Sequence, residues 1–570
     1  MSSPEIRWAG PRALLLELDS LDAVLSLHSR LRDNPAAGQV DVLAAARTVL
    51  VVFDSRASAR AARGPLARLG SMPAGAAAVQ DTPVRIEVVY DGEDLAEVGE
   101  LTGMGPEGVV AAHTGQLWTA AFGGFAPGFA YLVGETDALN VPRRGTPRTA
   151  VPAGSVALAG NFSAVYPRRS PGGWQLIGHT ATRMWDLQRE QPALVRPGTT
   201  VQYVAVRELI QLSRTETDQA DGTQADAAAA QTPAAGPALE VLSPGPQALI
   251  QDLGRPGLGD LGVSPAGAAD TASARQANRL VGNLPTDAVI ENVMGGLSVQ
   301  ARGELTVALS GAGTAADIRS EGGDSEGGDS EGGIIRQAPM YAPFPLHDGE
   351  SLHLGVPEAG LRTYLAVRGG IDVPPVLGSR STDLMSGIGP APLAAGTVLP
   401  VGAVDSARAV GHAEPPALPA DLSPGAGGSP VVLRITTGPR HDWFTPRSHE
   451  ALTGQAWTVT AESNRIGVRL GTGPSTPGAD AGTPLERARE GELPSEGVVA
   501  GSLQVPPSGL PVLFLADHPV TGGYPVIGAV IPEDLPAAAQ LPPGATVRFV
   551  EVDPETLQPP APLPSTRKKQ

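Results

Sequence analysis

The sequence predicts a mostly β protein with a small N-terminal α/β domain and several β-barrel domains. Its 570 residues include 71 Gly and 56 Pro, and only 18% are charged, a composition typical of short strands and frequent turns. The N-terminal region alternates strand and helix patterns, and one β-rich pattern occurs twice later in the chain. This length exceeds what one hydrophobic core usually serves, so several domains are expected.

The α/β domain is assigned to residues 1–82. Apolar runs at 13–18 and 48–54 predict two strands, and residues 21–33 place leucine and valine at helical spacing. An alanine- and arginine-rich segment at 55–70 predicts a second helix.

The first barrel domain is assigned to residues 83–212. A strand at 84–90 opens it, and one or two helices follow as far as about residue 116. From residue 117 to residue 206 the sequence is strand-like and rich in turns, which favours a barrel.

An internal repeat indicates that two parts of the chain share one fold. Residues 152–180 and 499–530 both place Ala-Gly-Ser before a β-rich run, then Gly-Gly-aromatic, then Ile-Gly. A further matching strand pattern follows each copy, at 196–206 and 542–552. Three matched elements in the same order predict a second barrel like the first. A third, weaker copy is predicted at 366–378.

The remaining boundaries follow from composition. Segments without large apolar side chains cannot bury enough surface to offset the entropy of ordering, so they are assigned as linkers or disordered segments. The assignments are a flexible linker at 213–238, a β-rich domain at 239–412 with a disordered Glu-Gly-Gly insert at 318–334, a linker at 413–430, the second barrel domain at 431–552 and a disordered tail at 553–570.

Two scarce residue types exclude several chemistries. The chain has no Cys, which removes thiolate nucleophiles and cysteine metal sites, and its only lysines are Lys568 and Lys569. The folded body therefore lacks a lysine for pyridoxal phosphate, biotin or a Walker-type phosphate loop, and no haem is expected. A net charge of −18 argues against nucleic-acid binding. No apolar run is long enough for a signal or membrane segment, so a cytoplasmic protein is expected.

The first half carries an aromatic and arginine-rich candidate binding site. Phe129 and Tyr131 lie in a glycine-rich segment, and Arg143, Arg144 and Arg148 lie within one short stretch. Three guanidinium groups at this density favour an anion, so a phosphate- or carboxylate-binding site is predicted. A solvated basic loop is the alternative.

His179 is the candidate acid or base of the first half, because it ends a strand pattern and titrates near neutral pH. The aligned position of the second repeat is Ala529, so the histidine is specific to one copy. The alternative is a histidine that is only hydrogen-bonded at a strand end.

The second half offers further acid, base and donor groups. Glu291 lies inside an apolar strand pattern, where a carboxylate needs a partner or a chemical role. Asp517 is a second candidate base or metal ligand, and Arg465 and Tyr524 are candidate binding residues. Asp270 is predicted to begin a helix. No complete set of metal ligands is assigned.

Several long segments resemble the allophanate hydrolase subunit 1 and subunit 2 families, the Kip-type or carboxyltransferase-domain subunits. The first resemblance rests on "GFAPGFAYL", "VPRRGTPRTAVPAGSVAL" and "SPGGWQLIGHT", and the second on "SPGPQALIQDLGRPG", "SNRIGVRL" and "SLQVPPSGLPVLFLADHPVTGGYPVIGAV". The chain is therefore identified as a fused protein of both families. The resemblance implies cyclophilin-like barrels in both halves.

The resemblance also implies an activity. The two families supply the B and C subunits of a bacterial ATP-dependent 5-oxoprolinase, which converts 5-oxo-L-proline into L-glutamate together with a LamB/YcsF-type subunit. ATP and Mg²⁺ are the implied cofactors, and a homo-oligomer is compatible with this interpretation. As a mechanistic hypothesis, the arginine stretch and His179 bind phosphate or the substrate carboxylate, and Glu291 or Asp517 serves as base or metal ligand.

Two other functions stay open at this point. One is a regulatory inhibitor of a sensor histidine kinase, and the other is a urea- or amide-related carboxyltransferase module. The amidase activity suggested by the family label is opposed by the residues, because amidase-signature enzymes use a Ser-Ser-Lys arrangement and the folded body has no lysine.

Overall fold

The computed structural model describes residues 4–72, 82–208, 236–320, 335–404, 408–418, 429–473 and 482–559. The predicted mostly β fold class is confirmed: a small α/β domain is followed by a barrel, a two-sheet sandwich and a second barrel. Within those residues, no helix is long and apolar enough to cross a membrane.

The N-terminal domain is a four-stranded antiparallel sheet with the order β1-β2-β4-β3 and two helices. Leu14 and Leu16 on one face share a core with both helices, while Leu15 and Leu50 on the other face pack against Val520 of the second barrel. The predicted strands and helices are confirmed. The confirmed elements are β2 (Ala13–Glu17), α1 (Leu21–Asp33), β4 (Thr48–Phe53) and α2 (Arg56–Gly70), and the structure adds two strands that were not predicted, β1 (Glu5–Trp8) and β3 (Gln39–Ala44).

The first barrel has the strand order β12-β9-β10-β7-β6-β13-β5. Val89 and His179 complete the ring by exchanging two backbone hydrogen bonds of 2.9 Å. Strands β8 and β11 form a separate ribbon. The elements are β5 (Val84–Val88), α3 (Leu95–Thr102), α4 (Gly105–Thr114), β6 (Trp118–Gly124), β7 (Ala126–Gly134), β8 (Arg148–Val151), β9 (Ser155–Ala159), β10 (Phe162–Val165), β11 (Ser170–Gly172), β12 (Gln175–His179) and β13 (Thr200–Ala205).

The sandwich packs a six-stranded sheet, β20-β19-β22-β17-β14-β24, on a five-stranded sheet, β15-β16-β23-β18-β21. Helix α5 packs on the five-stranded sheet. The elements are β14 (Ala238–Pro244), β15 (Gln247–Gln251), α5 (Thr271–Val281), β16 (Val289–Val293), β17 (Leu297–Arg302), β18 (Leu305–Gly311), β19 (Ala316–Arg319), β20 (Ile335–Gln337), β21 (Pro343–Leu346), β22 (Ser351–Leu354), β23 (Arg362–Val367) and β24 (Val398–Pro400), with a 3₁₀ helix at Gly259–Leu261.

The second barrel is closed, with the order β25-β32-β29-β30-β27-β26-β33. Strands β28 and β31 form a separate ribbon. The elements are β25 (Val431–Thr437), α6 (Pro446–Gly454), β26 (Trp457–Val459), β27 (Gly467–Gly471), β28 (Glu496–Gly497), β29 (Ser502–Gln504), β30 (Val512–Phe514), β31 (Thr521–Gly522), β32 (Val526–Val530), α7 (Leu535–Ala539) and β33 (Thr546–Glu551), with 3₁₀ helices at His441–Trp443 and Pro532–Asp534.

The two barrels share one topology, which confirms the fold predicted from the repeat. Each strand of the first ring has an equivalent in the second, and each ring contains one parallel pair, β5 with β13 and β25 with β33. The repeated Ala-Gly-Ser places Gly154 and Gly501 at φ +79° and +92°, before equivalent strands β9 and β29. The signal in the repeat is therefore a shared turn, where a side chain would be strained.

The predicted third copy is wrong. Residues 366–378 include the end of β23 in the sandwich and the turns that follow it. The pattern Arg-Gly-Gly-Ile is misleading because paired glycines suit any tight turn after a buried strand.

The predicted insert, tail and second linker each begin too early in the sequence, because their first residues are ordered parts of the fold. Ile318, the first apolar residue of the predicted insert, is fully buried within β19. In the tail predicted from residue 553, Glu555 forms an ion pair with Arg63 of α2. In the linker predicted at 413–430, Leu418 packs against the core of the second barrel. The composition of a segment does not predict such contacts, because a single side chain can hold the segment against the fold. Residues 209–235, 321–334 and 419–428, where most of the predicted linkers and insert fall, lie outside the described residues.

The shared turn can be tested with Gly154→Ala. A Cβ there would lie 2.4 Å from the carbonyl oxygen of Thr180, and its φ is positive. We expect a loss of unfolding free energy beyond the roughly 1–2 kcal/mol that a left-handed alanine costs alone. Gly198→Ala is the matched control, because its φ is +89° with no atom within 4 Å. Equal losses in urea titrations of the two variants would contradict the role of the close contact.

Candidate functional site

At two glycines, the main chain of the first barrel lies in direct contact with the sandwich and with the second barrel. A Cβ on Gly123 would lie 2.4 Å from the carbonyl oxygen of Asp260 in the sandwich. A Cβ on Gly124 would lie 2.2 Å from Oγ1 of Thr521 in the second barrel. Any side chain at these two positions would collide with the neighbouring domain, so the first barrel packs directly against both domains only because glycine has no Cβ.

A buried ion network lies between the sandwich and the second barrel. Arg465 donates from Nη1 to Oε1 of Glu291 at 2.5 Å, and from Nη2 to the carbonyl oxygen of Gly267 at 2.5 Å. Its Nε and Nη2 also donate to the carboxylate of Asp517 at 3.0 and 2.9 Å. Arg465 is 2% exposed, and both carboxylates are fully buried. The structure therefore brings together three residues that the sequence predicted separately.

Both oxygens of Glu291 are occupied. Oε2 accepts hydrogen bonds from the backbone N–H of Ala269 at 2.9 Å and the hydroxyl of Tyr364 at 2.8 Å. Arg362 places its Nε 3.4 Å from Oε1. Burial alone would raise the pKa of Glu291, but Arg465 and Arg362 outweigh it and hold that pKa below its ordinary value. The glutamate is thus a charged, fully paired group.

Asp270 extends this network to a cavity. Its backbone N–H donates to the Tyr364 hydroxyl at 2.8 Å, and as the predicted N-cap of α5 its Oδ1 accepts from the Ser273 N–H at 2.9 Å. Oδ2 accepts from the Ser273 hydroxyl at 2.6 Å and from Nε2 of Gln540, in the second barrel, at 2.8 Å. Burial outweighs these hydrogen bonds and raises the pKa of Asp270.

The cavity beside Asp270 has a volume of about 510 Å³. Asp270 and Gln540 line it together with the backbone of Gly311–Ala315, Tyr341 and the exposed Glu358. Its described lining contains two carboxyl side chains and no Arg, Lys or His. Such a lining suits a small neutral or N–H-bearing ligand better than a triphosphate.

Two of the three predicted anion-binding arginines, Arg144 and Arg148, are paired within the protein. Arg148 donates to Oδ1 of the buried Asp94 at 2.8 Å and to Glu93 at 3.0 Å, and Arg144 also donates to Oδ1 of Asp94. The Leu176 N–H donates to the other oxygen of Asp94 at 2.7 Å. The compensating charge that the sequence required for these arginines is thus an internal carboxylate.

His179 lies at the end of β12, as predicted. Its side chain is about half exposed, and Nδ1 lies 2.7 Å from Oδ1 of the exposed Asp91. Its backbone closes the first barrel through Val89. The histidine thus carries a structural backbone role together with an accessible imidazole beside a carboxylate.

The other predicted binding residues lie apart from the ion network. Phe129 and Tyr131 are buried in an aromatic core of the first barrel, with their ring centroids 5.0 Å apart. The Tyr131 hydroxyl is hydrogen-bonded to the side chain of Ser495. Arg143 is exposed. Tyr524 is 45% exposed, and the guanidinium of Arg487 lies 5.8 Å from its ring centroid.

The described part of the chain contains no group of three or more His, Asp or Glu arranged to hold a metal ion. Glu291 and Asp517, the predicted metal ligands, already bind Arg465. Their carboxylates therefore do not fit a protein-bound Mg²⁺, and no step is assigned to one.

Sequence reasoning missed four residues of these sites. Arg362, Tyr364 and Gln540 reach the network from distant strands and turns, with no local signal. Asp94 has a weak signal in the sequence, because Arg144 and Arg148 require a compensating carboxylate. It precedes a helix pattern and is one of several acids that could supply that carboxylate. Asp270 is predicted as a helix start, but its place in a cavity has no signal in the sequence.

Two barrels of one topology, packed on a sandwich and on a small α/β domain, define a multidomain β protein whose buried chemistry lies between domains. Residues 261–551 match the model described as carboxyltransferase domain, subdomains A and B, and residues 4–195 match carboxyltransferase domain, subdomains C and D. The chain belongs to the carboxyltransferase-domain family and joins both parts in one polypeptide.

Curated relatives carry the names of enzymes or enzyme subunits. The chain is 35% identical over 318 residues to the C subunit of 5-oxoprolinase from Escherichia coli, spanning 55% of this chain and 91% of that protein. It is 42% identical over 128 residues to the B subunit of 5-oxoprolinase from Haemophilus influenzae, spanning 22% of this chain and 60% of that protein. It is 34% identical over 335 residues to urea amidolyase of Lachancea kluyveri, spanning 55% of this chain but 17% of that protein.

One solved structure spans nearly the whole chain. The crystal structure of TTHA0988 has 34% sequence identity and a TM-score of 0.77, and the match covers 95% of this chain and 99% of that one. The four-domain arrangement is therefore shared with an experimentally determined structure.

Arg465→Met tests the ion network. It would leave Glu291 and Asp517 buried without their cation, so we expect the free energy of unfolding to fall by about 3–5 kcal/mol. Arg469→Met is the control, because Arg469 is exposed four residues further along. Urea titration of both variants measures the difference, and a loss in Arg465→Met no larger than in the control would show that the network does not support the fold.

Asp94 predicts a pH dependence of stability. Hydrogen bonds from Arg148 and Leu176 outweigh burial and lower its pKa. Because the folded pKa lies below the unfolded value of about 3.9, the stabilisation is present above that value and is lost as the pH falls. Urea titrations should show Asp94→Asn less stable than the parent at pH 7, with a smaller difference near pH 3. Glu100→Gln, an exposed change on α3, should show neither effect. A difference for Asp94→Asn that does not shrink in acid would contradict the assignment.

Proposed function

We propose that this chain is a fusion of the B and C subunits of an ATP-dependent 5-oxoprolinase, which converts 5-oxo-L-proline into L-glutamate with a separate LamB/YcsF-type subunit. The observation that carries the proposal is similarity to both named subunits within one chain. The direct contact between the two barrels, at Gly124 and Thr521, supports joint action of the two parts.

The cavity beside Asp270 is the proposed site of ring opening, where it would take the N–H end of the lactam; its described lining has no cation, so the carboxylate of 5-oxoproline would lie outside it. As a lactam opens, its ring nitrogen must gain a proton, because an amide anion is a poor leaving group. Asp270 lines the cavity, and its raised pKa keeps it protonated to a higher pH than an exposed aspartate. We therefore assign proton donation to Asp270, and positioning of Asp270 to Tyr364 and Gln540, which hydrogen-bond to it.

The ion network of Arg465, Glu291 and Asp517 is connected to the cavity through hydrogen bonds to Tyr364 and Asp270. Glu291 orients the Tyr364 hydroxyl that accepts the Asp270 N–H, and Arg465 fixes Glu291. The proposed role of Glu291, Arg465 and Asp517 is thus positioning. It replaces the roles of base, substrate binding or metal ligation hypothesised from the sequence, because these three residues bind one another and, unlike Asp270, none of them lines the cavity.

ATP and Mg²⁺ remain proposed requirements. Phosphorylation of the lactam carbonyl oxygen would activate the resonance-stabilised amide toward water. The acidic lining beside Asp270 does not suit a triphosphate, so phosphoryl transfer is assigned to another part of the assembly and only ring opening of the activated lactam is assigned to this cavity.

A urea-related carboxyltransferase module is the second candidate function. It is supported by the family description and by the similarity to urea amidolyase. The only lysines, Lys568 and Lys569, lie outside the described residues, so a biotin carrier for this reaction is proposed to be a separate protein.

Glutamate formation from ATP and 5-oxoproline, measured with and without the purified LamB/YcsF-type subunit, tests the function. Glutamate that never exceeds background would overturn it. Carboxylation of urea with a biotinylated carrier and bicarbonate is the corresponding assay for the second candidate.

Asp270→Asn tests the role of the cavity. Asparagine keeps the helix cap through Oδ1, but its Nδ2 cannot accept the hydrogen bonds that Ser273 and Gln540 donate to Oδ2. A stability loss of about 1–3 kcal/mol is therefore expected, and kcat is compared well below the melting temperature of both proteins. Without the carboxyl proton we expect kcat to fall on the order of 100-fold. Asp137→Asn, on an exposed loop, is the control. Full activity in Asp270→Asn would remove Asp270 from the mechanism while leaving the overall function intact.

A further inference from the structure

Tyr341, which lines the cavity beside Asp270, has a strained backbone conformation. Its φ is +58°, in the left-handed region that residues other than glycine rarely adopt. Three hydrogen bonds hold it there. Its backbone N–H donates to the carbonyl oxygen of Leu309 at 2.8 Å, its carbonyl oxygen accepts from the N–H of Glu414 at 2.9 Å, and its hydroxyl donates to the carbonyl oxygen of Gly311 at 2.8 Å. Strain that is fixed by surrounding contacts is concentrated at functional sites.

The hydroxyl of Tyr341 lies beside open space in the cavity. A Cβ built on Gly313, which also lines the cavity, would lie 3.6 Å from Oη of Tyr341. Apart from the sequence neighbours of Gly313, no other atom of the described residues lies within 4 Å of that Cβ. Because the hydroxyl hydrogen is already donated to Gly311, Oη can offer only its lone pairs to a ligand.

Gly311 fixes this hydroxyl relative to Asp270. A Cβ on Gly311 would lie 2.4 Å from the carbonyl oxygen of Arg362 and 3.4 Å from Nε2 of Gln540. The same Nε2 donates to that carbonyl oxygen at 2.9 Å and to Oδ2 of Asp270 at 2.8 Å. Gly311 therefore packs against the groups that hold Asp270, while its own carbonyl oxygen holds Tyr341.

The other polar side chains of the lining are used or lie at the exposed side. The amide oxygen of Gln540 accepts two backbone N–H groups, and its nitrogen donates to Asp270 and to a backbone carbonyl. The hydroxyl of the buried Thr314 donates to a backbone carbonyl at 2.6 Å, and Glu358 is exposed. A ligand beside Asp270 thus meets an acceptor at Tyr341. A ring N–H satisfies this acceptor, whereas a ring oxygen presents lone pairs to it and is repelled.

We propose that Tyr341 determines the specificity of this cavity for a lactam, with its Oη accepting the hydrogen bond of the ring N–H. The inference rests on the proposed function, because it takes the lactam as the ligand of the cavity. It adds the residue that distinguishes a lactam from a lactone of the same ring size. Since Gly311 fixes Tyr341 relative to Asp270, the same hydrogen bond holds the ring nitrogen near the carboxyl group that would protonate it.

Saturation-transfer NMR titrations of the full chain with 2-pyrrolidinone and γ-butyrolactone test the proposal. The two rings are neutral and differ in having an N–H or a ring oxygen. We expect the lactam to bind at least about fivefold more tightly, as one added hydrogen bond allows, and 5-oxoproline to displace it. Equal affinity for the two rings, no measurable binding of the lactam, or no displacement by 5-oxoproline would overturn the proposal.

Tyr341→Phe removes the acceptor and keeps the ring. It should weaken binding of 2-pyrrolidinone about fivefold, to the level of γ-butyrolactone, and leave γ-butyrolactone unchanged. Tyr524→Phe is the matched control, because Tyr524 is partly exposed and lies outside the cavity lining. A preference for the lactam that survives in Tyr341→Phe, or one that is lost in Glu358→Gln instead, would place N–H recognition elsewhere and overturn the proposal.

Gly313→Ala keeps the test decisive if Tyr341→Phe does not fold. Its Cβ would make an ordinary contact of 3.6 Å with Oη, and the φ of Gly313 lies outside the left-handed region, so the fold should be retained. The added methyl group fills the space beside the hydroxyl, so 2-pyrrolidinone should bind at least about fivefold more weakly. Binding like that of the parent would overturn the proposal.

The glutamate assay separates this inference from the proposed function. Glutamate formation without a preference for the lactam would overturn the role of Tyr341 and leave the function intact. A preference for the lactam that Tyr341→Phe abolishes, in a chain that forms no glutamate, would support N–H recognition and overturn the reaction.

Discussion

The arrangement of the second half of the molecule depends on one buried guanidinium group, that of Arg465. Removing a cation from water is costly unless its partners are charged and well placed, and here two domains supply them. Glu291 comes from the sandwich and Asp517 from the second barrel, so the charge is balanced only when both domains are docked. The cavity beside Asp270 is built across the same interface, because Gln540 reaches it from the second barrel.

The first half uses its charges differently. Arg144 and Arg148 compensate Asp94 beside the ribbon of β8 and β11, and Asp94 in turn binds β12 through the Leu176 N–H. Arginine density is therefore not by itself a sign of anion binding in this chain, where 39 of the 41 basic residues are arginines.

Much of the fold was predictable, because strand patterns, turns and helix caps are local. Ser20 and Ser55 begin helices by accepting hydrogen bonds from the backbone N–H groups of Ala23 and Ser58, and the repeat indicated two barrels of one fold. The candidate site was predictable only in part. The position of Glu291 in an apolar strand required a partner, but Arg465 lies 174 residues away, and no local pattern relates the two. Gln540 gave no signal, since its role depends on docking between domains.

The close approach of Gly124 to Thr521 has a consequence for how the two parts came to be one chain. The main chain of Gly124 in the first barrel contacts the side chain of Thr521 in the second. The relative orientation of the barrels therefore depends on their contacting surfaces and not on residues 209–235, which connect the two parts in sequence. Covalent connection then fixes stoichiometry rather than geometry. The relatives named as separate B and C subunits match different parts of this chain, and fusion ensures that each part is synthesised with its counterpart.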